Sequence, residues 1–172
     1  SSAASDVYKR QGLYLINNNF KIRDLGIENP MLKVVGSLAN IRMQMFNVGL
    51  ETLALRMEAH SSNAATLAAH LSTHSKVVAV DYPGLESNSS HQVAAKQFNN
   101  RFSGLLTLRL GSKEAAFKFL KQLKLGKNMT NIGDSRTLLF HAASTLYRDL
   151  SLVEQEAAGV YDDFVRVSVG LE

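Results

Sequence analysis

Phe164-Val165-Arg166-Val167-Ser168-Val169 puts a valine at every second position, with an arginine and a serine between them. Side chains alternate across a strand, so Val165, Val167 and Val169 share one face while Arg166 and Ser168 project from the other. A strand with one apolar face needs partner strands and a covering layer. Working back from it, Leu106, Leu108 and Leu110 alternate with Leu105, Thr107 and Arg109 in a second half-buried strand opened by Gly104. Thr137–Phe140 is a third candidate. Lys76–Val80 is a fourth, a β-branched run ended by the turn residues Tyr82-Pro83-Gly84.

Helices separate these runs. Between about Ser37 and Thr73, Leu50, Leu53, Met57, Ala64, Ala68 and Leu71 recur at steps of three, four and seven, one stripe of a 3.6-residue period, with Glu51, Arg56, Glu58 and His70 off it. The segment is too long for an ordinary globular helix, which predicts a break near Gly49 or at Ser61-Ser62. Ser112 stands where an N-cap belongs, ahead of Glu114 and an apolar stripe of Ala116, Phe117, Leu120 and Leu123. Ser151-Leu152-Val153-Glu154 fits a capping box and Gly159 a C′ position, giving a short helix between them. Leu85–Arg101 is polar and without a firm period. Strands and helices mix without regular βαβ repeats, so the expected class is α+β: a small, mostly antiparallel sheet covered by helices.

The chain has 172 residues, 45% hydrophobic and 20% charged, enough for one domain with a single core. No apolar run approaches a membrane span, and Ser1–Gln11 holds no apolar stretch of the secretory kind. No membrane partner is expected, and a reducing cytosol is the default address. The absence of Cys removes disulfides, thiolate nucleophiles and Cys-based zinc sites. The net charge of +4 raises nucleic acid as a partner. Yet the densest basic stretch, Lys118–Lys127, interleaves Lys with Phe119, Leu120, Leu123 and Leu125, as an amphipathic helix running into a loop does. Nucleic-acid binding is not expected. Asp6-Val7-Tyr8-Lys9-Arg10-Gln11 resembles sequencing-adapter or cloning-derived sequence, so residues 1–11 are set apart. Both ends look cut, the second at a strand end, as in a fragment of a longer reading frame. Asn17-Asn18-Asn19 and Asn29-Pro30 carry turn chemistry.

Reactive constellations are sparse. His70 and His74 have the i,i+4 spacing of a metal pair, but no third ligand stands at a matching step, and a solvated helix face accounts for them better. Gly104, Gly111 and Gly126 are isolated, so no phosphate-cradling loop is expected. Ser144, His141 and Asp149 assemble into a triad only on paper, because triads are defined by geometry in the fold. Arg166 stands out on physical grounds. A guanidinium mid-strand must reach solvent along its stem, pair internally, or meet an anion such as a carboxylate, which its planar fork binds bidentately. The residues alone leave these readings open.

Four stretches, in order, resemble one family. Gly49-Leu50-Glu51-Thr52-Leu53-Ala54-Leu55-Arg56-Met57 is similar to the G-L-E-T-L-x-L-R-M helix start of the Cys/Met metabolism (trans-sulfuration) enzymes dependent on pyridoxal phosphate (PLP). Ser75-Lys76-Val77 through Tyr82-Pro83-Gly84-Leu85 resembles their H-P-K-V…Y-P-G-L. Asn131-Ile132-Gly133-Asp134 with His141-Ala142-Ala143-Ser144-Thr145 resembles N-x-G-D…H-P-A-S-T. Val165–Glu172 resembles V-R-L-S-V-G-[IL]-E. The match runs from about Val48 to Glu172, with Gly12–Asn47 matching poorly. The Asn-x-Gly-Asp motif and Gln155–Val160 look most like O-acetylhomoserine sulfhydrylases. Ala142 departs from the usual Pro and Leu146 from a common Thr.

The resemblance implies a fold-type I enzyme. Residues 49–172 would be its C-terminal substrate-binding domain, truncated at its end, and 12–48 a divergent linker or helical segment. It implies that Arg166 binds the substrate α-carboxylate, with Asn131 beside it. PLP and its Schiff-base lysine would belong to a preceding domain, since no S-x-T-K motif occurs here. The fragment would then carry no catalytic or cofactor-binding residue of its own and be inactive alone. The implied reaction is γ-replacement on O-acetylhomoserine by sulfide or a thiol, in a cytoplasmic homotetramer. Methionine γ-lyase, cystathionine γ-synthase and cystathionine lyase are sister chemistries. A non-catalytic α+β binding module would show the same periodicities.

Overall fold

The structure is a computed structural model that describes the backbone of residues 30–172 and the side chains from residue 41 onward. The turn residues Asn17–Asn19 and the segment Ser1–Gln11 lie outside the described residues. The chain divides into two units, residues 1–52 and 53–172. The first contributes helix α1, Pro30–Glu51. The remaining described helices and strands belong to the second.

There α2 spans Leu53–Ser72, β1 Ala79–Asp81, α3 His91–Phe98, β2 Leu105–Arg109 and α4 Lys113–Lys121. They are followed by β3 Lys127–Asn128, β4 Leu138–His141, α5 Leu152–Ala157 and β5 Phe164–Ser168. The sheet order is β1-β2-β5-β4-β3. Three of its pairings are antiparallel and one, β3 with β4, is parallel. The α+β expectation of a small, mostly antiparallel sheet covered by helices describes this unit.

The valine stripe sets the register. Val167 faces Leu106 on one side and Leu139 on the other, and Val165 faces Leu108 and His141. On this face α2 packs over β1 and β2, and α4 over β4 and β5. Ala64, Ala68, Tyr82, Leu106, Leu108, Ala116, Leu120, Leu139, Val165, Val167 and Val169 form the main core. Each large side chain removed from water there contributes about 1.5–3 kcal/mol before entropy is counted. On the opposite face Phe140, Ala142, Ala143 and Val160 form a smaller cluster with Tyr147 and Phe164.

The caps follow the sequence reading. Ser112 accepts from the Ala115 amide, Ser151 and Glu154 complete a reciprocal capping box, and Gly159 takes φ +74° beyond α5. Other expectations need correction. The long helical segment breaks at Thr52, close to Gly49, and runs unbroken through Ser61-Ser62. Ser61 is buried and its hydroxyl accepts from the Phe102 amide, so a polar pair that reads as a kink is a tie to a neighbouring loop. Leu53 and Met57 stay exposed, and the inner end of the stripe starts instead at His60. The first strand is displaced from Lys76–Val80 to Ala79–Asp81, because Val77 is drawn into a turn by its bond to His74 O. Helix α3 and strand β3 have no counterpart in the sequence reading.

Beyond β2 the Asp163 carboxylate gathers two donors. It accepts from Arg109 Nε at 2.9 and 3.3 Å and from the Gly111 amide at 2.9 Å. The Arg109 guanidinium also stacks over Tyr161, 4.1 Å from the ring centroid. This cluster pins the entry of β5 to the exit of β2.

Candidate functional site

The sheet face away from α2 and α4 carries Arg166. Strand alternation places it in a cross-strand row with Thr107 of β2 and Phe140 of β4. Its side chain is half-buried, with the guanidinium carbon 5.4 Å from the Phe140 ring centroid. Among the described residues it has no carboxylate partner and no hydrogen bond. The internal ion pair that a mid-strand arginine commonly makes is therefore not its role among these residues. That pairing falls to Arg109 and Asp163.

The next row on the same face is Leu105, Ser168 and Leu138, about 7 Å along the strand from Arg166. At this end a cleft of about 240 Å³ opens, lined by Leu105 and Ser168 of the strands, Val169 just beyond β5, Met57 and His60 of α2, and Ile132 and Gly133 of the loop before β4. Neither Arg166 nor Asn131 lines the cleft; Asn131 directly precedes Ile132 in sequence, and Arg166 lies two residues before Ser168.

Asn131 is exposed. Its side-chain oxygen accepts from the Ile132 amide at 2.8 Å, and its amide nitrogen lies 3.5 Å from Asp134. Gly133 supplies the positive φ, +72°, that closes the loop. Asp134 accepts from both the backbone and the side chain of Arg136. The Arg136 side-chain hydrogen bond holds the Asp134 carboxyl below the usual carboxylate range, and the same pairing raises Arg136. Asn131-Ile132-Gly133-Asp134 is thus tied largely to itself and to Arg136.

The tetrapeptide after β5 joins this loop to the sheet. Gly170 N donates to Thr137 Oγ1 at 2.9 Å, Leu171 N to Ser135 O at 2.8 Å, and Thr137 N to Glu172 Oε1 at 2.6 Å. No side chain fits at Gly170, since a Cβ would lie 2.5 Å from the Arg136 carbonyl carbon.

The remaining sequence candidates separate. His141 Nδ1 accepts from Ser144 Oγ at 2.8 Å and its Nε2–H donates to Asp162 O at 2.7 Å, while Asp149 pairs with Arg148. With Asp149 elsewhere, the paper triad is not assembled; His141 is a buried brace whose ring lies tilted against Phe117, 4.9 Å between centroids. His70 and His74 meet edge to face at 6.4 Å between centroids, and His74 Nδ1 accepts from the Lys76 amide. Sequence reasoning passed over His60. The signal was there: His60, Ala64, Ala68 and Leu71 follow the buried stripe of α2.

No described helix is long and apolar enough to cross a membrane. Whether the described residues suit PLP is decided by the lysines, because a Schiff-base amine must be set inside a pocket. Lys76, Lys96, Lys113, Lys118, Lys121, Lys124 and Lys127 are all exposed on the surface. Among the described residues no lysine lines the cleft at the end of β5.

Comparison with known proteins fixes the family. The sequence model of the Cys/Met metabolism PLP-dependent enzymes matches residues 15–172, reaching well upstream of Val48, so the poorly matching 12–47 stretch lies largely inside the family pattern. A homocysteine synthase of Schizosaccharomyces pombe is 42% identical over 143 residues, covering 82% of this chain and 33% of its own length. An O-acetyl-L-homoserine sulfhydrylase of Thermus thermophilus is 45% identical over 126 residues, covering 73% and 30%. An L-methionine gamma-lyase of Fusobacterium nucleatum is 40% identical over 125 residues, covering 72% and 31%. The chain therefore spans about a third of the length of these relatives. A crystal structure from Campylobacter jejuni, described as an O-acetylhomoserine (thiol)-lyase and carrying a pyridoxyl-lysine phosphate, superposes with a TM-score of 0.69. It is 32% identical, over 85% of this chain and 37% of its own. The motif order, the α+β sheet and the match over 15–172 lead to one statement: this chain belongs to the Cys/Met metabolism family of PLP-dependent enzymes.

Proposed function

We propose that residues 49–172 form the C-terminal substrate-holding part of an enzyme that makes homocysteine or methionine from O-acetylhomoserine by γ-replacement with sulfide or a thiol. The observation that carries this reading is Arg166, a half-buried guanidinium with no carboxylate partner among the described residues. Such a group lacks its strongest kind of partner, and a planar carboxylate satisfies two of its N–H donors at once. Ser168 projects from the same face two residues further along β5, and Ile132 and Gly133 of the Asn131 loop line the cleft beside it, which supports the reading. Fixing the acid end of an amino acid there orients its Cα substituents for chemistry carried out on PLP by groups outside this chain.

In the full-length enzyme, Arg166→Lys should raise KM for the amino-acid substrate by about 10-fold or more, because an ammonium replaces a two-pronged contact with a point charge. Unchanged KM would remove Arg166 from the site. The purified 172-residue chain alone should neither hold PLP covalently nor turn substrate over. Similarity to sulfhydrylases and to a methionine gamma-lyase favours replacement while keeping elimination as a second reading. Product analysis with O-acetylhomoserine and sulfide separates them: homocysteine supports the first, a 2-oxo acid with ammonia the second. A cytoplasmic homotetramer completes the proposal, to be checked by sedimentation of the full-length protein.

A further inference from the structure

Helix α2 sends two side chains, one turn apart, onto consecutive carbonyls just beyond Arg166. His60 Nδ1 lies 2.6 Å from the Val169 carbonyl oxygen, and Asn63 Nδ2 donates to the Gly170 carbonyl at 3.0 Å. A carbonyl only accepts, so the first contact places the His60 proton on Nδ1. The ring is 2% exposed, and its Nε2 is buried without a hydrogen-bond partner among the described residues. A polar ring sunk this deep, leaving one nitrogen unsatisfied, is retained at a cost of about 1–3 kcal/mol, so the Nδ1 bond is its one polar use.

The bonds land where the site elements converge. Val169 N donates to Gly104 O at the start of β2, Gly170 N reaches Thr137, and Leu171 N reaches Ser135, both on the segment leading from Asn131 into β4. Val169–Leu171 is therefore held by α2 on one side and by the β2 and Asn131-loop segments on the other. This segment thus lies between Arg166, three residues before Val169, and Asn131, four residues before Ser135.

We infer that His60 and Asn63 are positioning residues for carboxylate binding, setting the end of β5 so that Arg166 and the Asn131 loop address one ligand. The inference rests on the reading of Arg166 as the carboxylate clamp and adds to it two residues that act through the Val169 and Gly170 carbonyls.

The test uses the full-length holoenzyme, four single variants, His60→Phe, His60→Asn, Asn63→Leu and Arg166→Lys, and one double variant. Phe keeps ring volume and removes the donor, whereas Asn keeps an N–H where Nδ1 stood. His60→Phe and Asn63→Leu should each raise KM for the amino-acid substrate about fivefold, the worth of one hydrogen bond, with kcat changed less than about twofold. His60→Asn should restore KM to within about twofold of the parent, and the double variant His60→Phe/Arg166→Lys should be little worse than Arg166→Lys alone. Binding of norleucine, an unreactive amino acid, should follow the same order.

Lower melting temperatures with unchanged KM would overturn the inference and leave a structural role only. Effects that multiply with Arg166→Lys would also overturn it, since the residues would then act independently of Arg166. If His60→Phe fails to fold, Asn63→Leu at its half-buried position decides by the same KM criterion. If Arg166→Lys itself leaves KM unchanged, the carboxylate reading fails first; if only the α2 variants are silent, the positioning inference fails alone.

Discussion

Replacing Asp163 by Ala removes one carboxylate that serves two donors, and the structure sets the size of the effect. Asp163 is buried, whereas the Arg109 side chain is 41% exposed. Breaking a fully buried pair costs about 3–5 kcal/mol, but an arginine this open to water recovers much of its hydration, which brings that part to about 1–2 kcal/mol. Gly111 sits at the surface, so its amide loses the Asp163 acceptor but regains water, adding about 1 kcal/mol. The stacking of Arg109 on Tyr161 survives the change. The expected loss is about 2–3 kcal/mol, read as a lower urea midpoint with unchanged slope by far-UV circular dichroism. Arg109→Ala in the same series should be non-additive with Asp163→Ala, with a coupling of about 1 kcal/mol. A loss under about 0.5 kcal/mol, or strict additivity, would refute the view that this carboxylate pins β5 to β2.

Gly170→Ala should lower the melting temperature and destabilise by about 1–3 kcal/mol, since the new methyl meets the Arg136–Thr137 backbone; an unchanged thermal transition would show that the two segments are not pressed together. Tyr82 is buried with its hydroxyl donating toward Ser61 O and Ser103 O, both at 3.2 Å, and burial raises its ionisation above the ordinary 10.0. An acid whose folded value is raised keeps its proton while the unfolded chain loses it, so the stabilisation is present below pH 10.0 and lost as pH climbs through and beyond that point. Tyr82→Phe should cost about 1 kcal/mol at neutral pH and flatten this alkaline loss; equal alkaline slopes in urea titrations of the two proteins would count against it.

The parts of the fold that could be read in advance are those where one face is buried and the other is not. Strands β2 and β5 betray themselves by alternation, and α4 and α5 by serines whose hydroxyls have an amide to receive. Helix α3 buries only Ala94, and Ser90 at its start makes no side-chain cap, so neither period nor cap marks it. Strand β3 is two exposed residues, defined wholly by its pairing with Leu138 and Leu139. Arg166 was visible as an anomaly because charge interrupts an apolar alternation. The tie between α2 and the segment after β5 was not, because His60 and Asn63 meet Val169 and Gly170 across more than a hundred residues of sequence. A histidine on a helix also reads as surface until its neighbours at i+4 and i+8, Ala64 and Ala68, are seen to be core.

The sheet ends in strands of three residues at one margin and two at the other. Such stubs present too few free amides and carbonyls in line to recruit a foreign strand, so the sheet has little capacity to template growth between molecules. Lengthening β3, for instance by replacing exposed Lys127 with a β-branched residue, would extend that ribbon and invite fibrillar association that the present margin discourages.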